Sequence, residues 1–162
     1  MITGFNSKYI NEIYNLGNKL NNNYSNLYNE ESLNTGVNKT FLYVINDQLV
    51  GFIHIQDLID EIDIINIIIN ENYRRKGYAS KLLDYVISIS NNKKLILEVS
   101  SLNIPAINLY KKYGFEQINV RKGYYSGSDA LIMEKKWKYE RCIHISHWNF
   151  VWWNIYSHCK KW

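Results

Sequence analysis

The sequence predicts one α/β domain built on a mixed, mostly antiparallel sheet. Three observations carry this. Runs rich in β-branched residues alternate with segments of helical period. The strand candidates between Thr40 and Ile69 are joined by tight connections, which make neighbours antiparallel. Two later strand-to-strand links pass through helices, and only those strands need be parallel. A chain of 162 residues suits a single substantial core.

In order, Met1 to Phe5 reads as a short strand, and Ser7 is placed to cap a helix over Lys8 to Leu20. Ile10, Ile13, Tyr14 and Leu20 recur there at helical spacing. The Asn-rich stretch from Asn21 to Lys39 is a loop with room for a second short helix. It is either a cover over a substrate site or a plain surface connection. Thr40 to Ile45 and Leu49 to Gln56 form a hairpin across Asn46-Asp47-Gln48. Asp60 to Ile69 is a third antiparallel strand, and its neighbour His54 reads as an ordinary sheet residue. A helix runs from Tyr78 to Ser90 on Leu82, Leu83, Val86, Ile87 and Ile89. Asn91-Asn92 ends it, and Lys94 to Val99 is a buried-type strand containing Glu98. Pro105 opens a helix to Lys112, which Gly114 terminates. Phe115 to Arg121 and Ala130 to Lys136 are the last strands, joined through Gly123 to Gly127.

Composition bounds the function classes. Apolar residues make up 46%, as in a soluble globular domain, and the bias toward Asn, Ile, Lys and Tyr reports an AT-rich genome more than a function. A formal net charge of +4 is too modest to argue for nucleic acid and is compatible with an anionic cofactor. Met1 to Tyr9 lacks the pattern of a secretory signal, and no apolar run approaches the roughly 20 residues that span a bilayer. The two cysteines, Cys142 and Cys159, match no metal-ligand spacing, so no metal is expected and a reducing cytoplasm is the default location.

The chemistry concentrates between Ile64 and Ser90. A strand breaks at Asn70-Glu71-Asn72, a cationic loop follows (Arg74-Arg75-Lys76-Gly77), and a helix begins at once. The first turn of a helix has unpaired N–H donors and a partial positive charge, so this arrangement suits an anionic phosphate. Gly77 lets the backbone approach closely, and Ala79 and Ser80 keep the first turn uncrowded. Taken alone, the loop is equally a solvated basic turn between a core strand and a core helix.

Several ordered blocks resemble the GNAT acyl-CoA N-acyltransferases, and within them the RimI type that acetylates the terminal alanine of a ribosomal protein. The blocks are Arg74-Arg75-Lys76-Gly77-Tyr78-Ala79, Leu97-Glu98-Val99, Asn103, Ala106-Ile107-Asn108-Leu109-Tyr110, Tyr113-Gly114-Phe115, Arg121-Lys122-Gly123-Tyr124-Tyr125 and Asp129-Ala130-Leu131-Ile132-Met133. The resemblance implies the GNAT fold over residues 1–136 and acetyl-CoA as cofactor. It implies that the backbone of Ile67, Ile68 and Ile69 lines the acetyl and pantetheine arm. Arg74, Arg75, Lys76, Gly77, Tyr78, Ala79 and Ser80 would hold the pyrophosphate, and Asn103 would bond the arm. Glu98 matches the general base, directly or through water, and Tyr110 the general acid; an otherwise apolar strand would desolvate the Glu98 carboxylate. Tyr124 and Tyr125 match the paired aromatics beside an incoming peptide. Alone, Glu98 also reads as a solvent-facing strand residue, Tyr110 as an amphipathic-helix residue, and the paired tyrosines as exposed hairpin aromatics.

Four departures stand out. Ser100 replaces the arginine that often follows Leu-Glu-Val, Ser126 replaces a proline after the paired tyrosines, and Asn21 to Lys39 lacks a Pro-Trp element. These bear on peptide specificity more than on acetyl transfer. The fourth is a Trp-rich C-terminal extension, residues 137–162, which holds all five tryptophans, both cysteines and His144, His147 and His158. It is a packing or dimerisation segment, a membrane-surface segment, or sequence translated past the natural end, for instance through a stop codon read as Trp137.

The resulting expectation is acetyl transfer from acetyl-CoA to the α-amino group of a protein N-terminus, such as a ribosomal protein. The alternatives are a GNAT acting on a small amine or a lysine side chain, and a non-catalytic acyl-CoA-binding interaction protein. An acidic pocket would favour a polyamine, and a narrow tunnel between the early loop and the Tyr124-Tyr125 hairpin a peptide terminus. The oligomeric state is left open.

Overall fold

A computed structural model describes residues 1–137 of the chain. The strands are β1 (Ile2–Gly4), β2 (Asn38–Ile45), β3 (Gln48–Asp57), β4 (Glu61–Ile69), β5 (Lys94–Ser100), β6 (Glu116–Tyr125) and β7 (Ser128–Lys135). The helices are α1 (Ile10–Leu20), α2 (Tyr24–Leu27), α3 (Tyr78–Ile89) and α4 (Ile104–Lys112). The strands make one seven-stranded sheet in the order β1-β2-β3-β4-β5-β7-β6. Among the described residues only β4 and β5 pair in parallel, because α3 carries the chain back between them.

The expected elements are present, with three local differences. Asn6, not Ser7, caps the first turn: its extended backbone lets the carboxamide oxygen accept from the Lys8 N–H at 2.9 Å. A single 3₁₀ turn, Ser7–Tyr9, precedes α1. Tyr124 and Tyr125 belong to β6 rather than to its connecting loop, since the strand runs on past an irregular stretch between Arg121 and Tyr125.

Strand alternation divides the core in two. Ile53, Ile55, Ile62, Ile64, Leu95, Leu97 and Val99 face α3 and α4, where Leu82, Leu83, Val86, Ile107 and Tyr110 cover them. Leu42, Leu49, Phe52 and Ile68 face the other way, toward α1 and α2, and pack on Ile13, Leu16 and Tyr24. Gly17 lets α2 lie against α1, because a Cβ there would fall on the Tyr24 ring. Each fully buried aliphatic side chain contributes on the order of 2 kcal/mol, so both faces are needed to hold the sheet.

Two irregularities of β4 create the site. First, His54 pairs with Asn66 but Ile55 pairs with Ile64, so Ile65 is an extra residue with no partner on β3. The bulge inverts the alternation: Ile62 and Ile64 face the α3 side before it, and Ile67 and Ile69 face that side after it. Second, β4 and β5 pair only from Glu61↔Lys94 to Ile64↔Leu97. Beyond that point β4 stays with β3 as far as Ile69, and β5 stays with β7 as far as Ser100. The sheet therefore splits between its two central strands.

Candidate active site

The split opens into a cavity of about 930 Å³. Its walls come from both faces of the sheet. Asn103, Ala106 and Tyr110 enter from the α4 side, and Tyr24, Tyr28 and Glu98 from the α1–α2 side. Strand parity explains the second group, since Leu97 and Val99 turn toward α4 and Glu98 must turn away. The cavity is thus a passage through the sheet.

Glu98 and Tyr110 lie on opposite sides of this passage. Arg121 Nη1 donates to Glu98 Oε1 at 2.7 Å, and the Glu98 side chain remains about a third exposed (31%). The apolar sequence around Glu98 suggests an isolated, desolvated carboxylate; the fold instead supplies a guanidinium partner and leaves the side chain partly exposed. Tyr110 is buried, and burial pushes its hydroxyl up to about 12, with a smaller push from Tyr125. It is therefore protonated throughout the physiological range. Tyr125 is raised in turn, by burial first and then by Glu98, so it stands within electrostatic reach of both candidates.

The mouth is aromatic. Tyr124 and Tyr125 meet edge to face with centroids 5.1 Å apart, and the Arg121 guanidinium lies 4.0 Å from the Tyr124 ring centroid. Burial raises Tyr28, and Tyr124 adds to the effect, which puts the segment after α2 close to the β6–β7 hairpin. The early loop and the hairpin therefore flank one opening. On the α4 side Asn103 lines the cavity while capping α4, its Oδ1 accepting from the Ala106 N–H at 3.3 Å.

The basic loop lies beyond the end of β4 and forms a cradle of its own. Arg75 (φ 60°) and Gly77 (φ 80°) both take left-handed backbone, and a Cβ at Gly77 would meet nothing within 4 Å. The first helical bond at this end runs from the Lys81 N–H to the Gly77 carbonyl, so the N–H groups of Tyr78, Ala79 and Ser80 have no helical acceptor. Arg74 Nε donates to the Ile69 carbonyl at 3.3 Å, tying the loop to β4. An anion suits this place.

Of the expected site residues, the cavity gathers Ile67, Glu98, Asn103, Tyr110, Tyr124 and Tyr125. The side chains of Ile68 and Ile69 go into the two cores, so only their backbone is offered to the split. Sequence reasoning missed Arg121 as the partner of Glu98, the Ile65 bulge, and Asp63, which also lines the cavity. Asp63 was within reach: Ile62 and Ile64 are core residues, so Asp63 must face Glu98's side. Among the described residues no group of three or more His, Cys, Asp or Glu is placed to hold a metal, and His144, His147, Cys142 and Cys159 lie outside them. No helix among the described residues is long and apolar enough to cross a membrane.

The family whose model matches this chain is the Acetyltransferase (GNAT) family, over residues 10–115. An N-alpha-acetyltransferase of Saccharolobus solfataricus is 32% identical over 112 residues, covering 59% of this chain and 67% of that protein. A [ribosomal protein bS18]-alanine N-acetyltransferase of Haemophilus ducreyi is 36% identical over 99 residues, covering 56% of this chain and 68% of that protein. The alignments to several further relatives named for bS18 span 60–64% of those proteins' length. Among solved structures, the ribosomal-protein-S18-alanine N-acetyltransferase from Escherichia coli superposes with a TM-score of 0.72 at 23% identity, covering 84% of this chain and 92% of that one. At that identity the likeness shows the fold.

Proposed function

Since the chain belongs to the acetyltransferase (GNAT) family, whose acetyl donor is acetyl-CoA, we propose that it acetylates the α-amino group of a protein N-terminus. The observation that carries this reading is the passage itself, with an aromatic mouth on the α2 and hairpin side and Tyr110 on the other. An extended chain terminus fits an opening flanked by Tyr28 and Tyr124. Relatives named N-alpha-acetyltransferase and [ribosomal protein bS18]-alanine N-acetyltransferase support the same acceptor class.

The residues present fit acetyl-CoA. The α3 N-terminus, with its open Gly77 turn, is a cradle for a pyrophosphate. The edge of β4 beyond Ile64 has left β5, and since Asn70 and Ile68 turn their N–H groups to β3, it is the N–H donors of Ile67 and Ile69 that are freed for an amide-bearing arm. Asn103 stands at the wall of the split. When bound, acetyl-CoA supplies an activated acetyl thioester and a thiol leaving group.

On the acceptor side Glu98 takes the amine proton, directly or through water. Arg121 occupies Oε1, which leaves Oε2 for that proton. On the opposite side the Tyr110 hydroxyl holds the proton that the departing sulfur needs. Donors along the β4 edge favour negative charge on the acyl oxygen. Because the two proton-carrying groups face each other across the sheet, neither competes for the other's partner. An α-amine is neutral for roughly a tenth of the time at pH 7, against less than about a thousandth for a lysine, so it asks less of Glu98.

Thiol release from acetyl-CoA tests the reading on peptides with free N-terminal Ala, Ser or Met, on the same peptides N-blocked with an internal lysine, and on a polyamine. Release confined to the free α-amino peptides is the expected result. Release with polyamine or blocked peptide alone would reassign the acceptor. The acidic residues Glu61, Asp63 and Glu98 in the cavity wall are the observation that favours a polyamine as second reading. A cytoplasmic location accords with a ribosomal-protein acceptor.

A further inference from the structure

β4 and β5 present three carboxylates on the acceptor side of the passage, and their charge is unevenly compensated. Glu61 pairs with Lys94 at 2.7 Å and Glu98 with Arg121 at 2.7 Å. Asp63 has no ion-pair partner among the described residues. It is half-buried between the other two along the same face, and it lines the cavity. Burial first, then the neighbouring Glu61 and Glu98 charges, hold its carboxyl above the usual range, with Lys94 opposing. An anion so placed is stabilised by an incoming cation.

A second observation on the same wall points the same way. Tyr24 is 1% exposed, belongs to the cavity lining, and its hydroxyl has no hydrogen-bond partner among the described residues. A buried hydroxyl without a partner is costly unless a ligand or water meets it.

We propose that Asp63 is a specificity-determining residue that selects acceptors bearing a second cation, a Lys or Arg side chain close behind the reacting α-amine. Lys94 and Arg121 are committed to Glu61 and Glu98, so Asp63 is the carboxylate left for the substrate. The Tyr24 hydroxyl is a further polar group without a partner among the described residues in the lining of the same cavity. This rests on the peptide-terminus reading above.

The test is steady-state kinetics of the full chain with acetyl-CoA and peptides beginning Ala-Arg, Ala-Lys, Ala-Gln and Ala-Glu, alongside spermidine. Arg and Lys peptides are expected to exceed the Gln peptide in kcat/KM by about tenfold, mostly through KM. Raising salt from 0.05 to about 0.5 M should compress that ratio in the unaltered protein, whatever the variants do. Asp63→Asn should bring the ratio toward one, and Asp63→Lys should turn the preference toward Glu. Equal kcat/KM across the peptides, or a preference unchanged in Asp63→Asn, would overturn the proposal while leaving N-terminal acetylation intact. Turnover of spermidine alone would overturn the peptide reading, and a KM for spermidine raised by Asp63→Asn would then keep the cation subsite. Turnover of no amine would overturn both.

Discussion

Arg121 holds Glu98 through a 2.7 Å Nη1–Oε1 bond and at the same time covers the ring of Tyr124 at 4.0 Å. One side chain on β6 therefore connects the candidate base on β5 to the aromatic mouth. The pair is partly exposed, with side-chain accessibilities of 49% and 31%, so its value lies in orientation more than in stability.

Glu98→Gln is expected to lower kcat about a hundredfold or more at neutral pH, and less at pH 9, where more of the amine is already neutral. Arg121→Ala should shift the thermal midpoint little yet raise the acceptor KM, because Tyr124 loses its cover. The pH–rate profiles of both variants check this. A Glu98→Gln profile parallel to that of the unaltered protein would remove Glu98 as base.

Tyr110→Phe should keep CoA affinity within a few-fold and slow turnover. Burial pushes the Tyr110 hydroxyl up to about 12, so the unaltered protein should show no loss of its acid below about pH 10. CoA titration by calorimetry separates binding from the rate. Unchanged turnover in the variant would exclude the hydroxyl as proton donor.

Gly17→Ala should act on the acceptor wall from outside it. The added methyl overlaps the Tyr24 ring, which has Tyr28 and Phe52 behind it at centroid distances of 4.8 and 6.0 Å. Overpacking of this kind costs roughly 1–3 kcal/mol. A lowered denaturation midpoint with raised acceptor KM and unchanged CoA affinity is the expected result. Unchanged acceptor KM would show that the Tyr24 wall does not touch substrate.

His54 should make stability depend on pH. It is fully buried, edge-on to Tyr28 at 4.8 Å, and neither ring nitrogen has a partner among the described residues. Burial lowers its pKa from 6.5 to about 4. The unfolded chain therefore binds a proton below pH 6.5 that the folded chain refuses, and stability falls as pH drops from 6.5 to 4. The full shift corresponds to about 3 kcal/mol. Urea midpoints from pH 7.5 to 4 measure it, and a slope retained in His54→Phe would place the titration elsewhere.

The reading of His54 as an ordinary strand residue agrees with its place outside the cavity lining, but its burial was not legible. It depends on Tyr28, which belongs to an Asn-rich segment without strong periodicity. Tyr110 was easier to read: it stands in a helical segment whose block matched a family pattern, and the structure puts it on the buried face with Ile107. Glu98 was legible as a residue and illegible as an environment, because Arg121 is 23 positions away and reaches it across β7.

By itself the sequence determined the order of the elements, the hairpin at Asn46-Asp47, and the helix start after Gly77. Each of these follows from local periodicity or from backbone that Gly and Asn tolerate. Tertiary structure alone decided where β4 parts from β5, that Ile65 bulges, and which carboxylate each cation neutralises. The run from Ile64 to Ile69 is apolar at five of six positions, so a one-residue slip costs no obvious hydrophobic match within the strand. Its register is settled by what β3, β5 and the two helical layers offer in return.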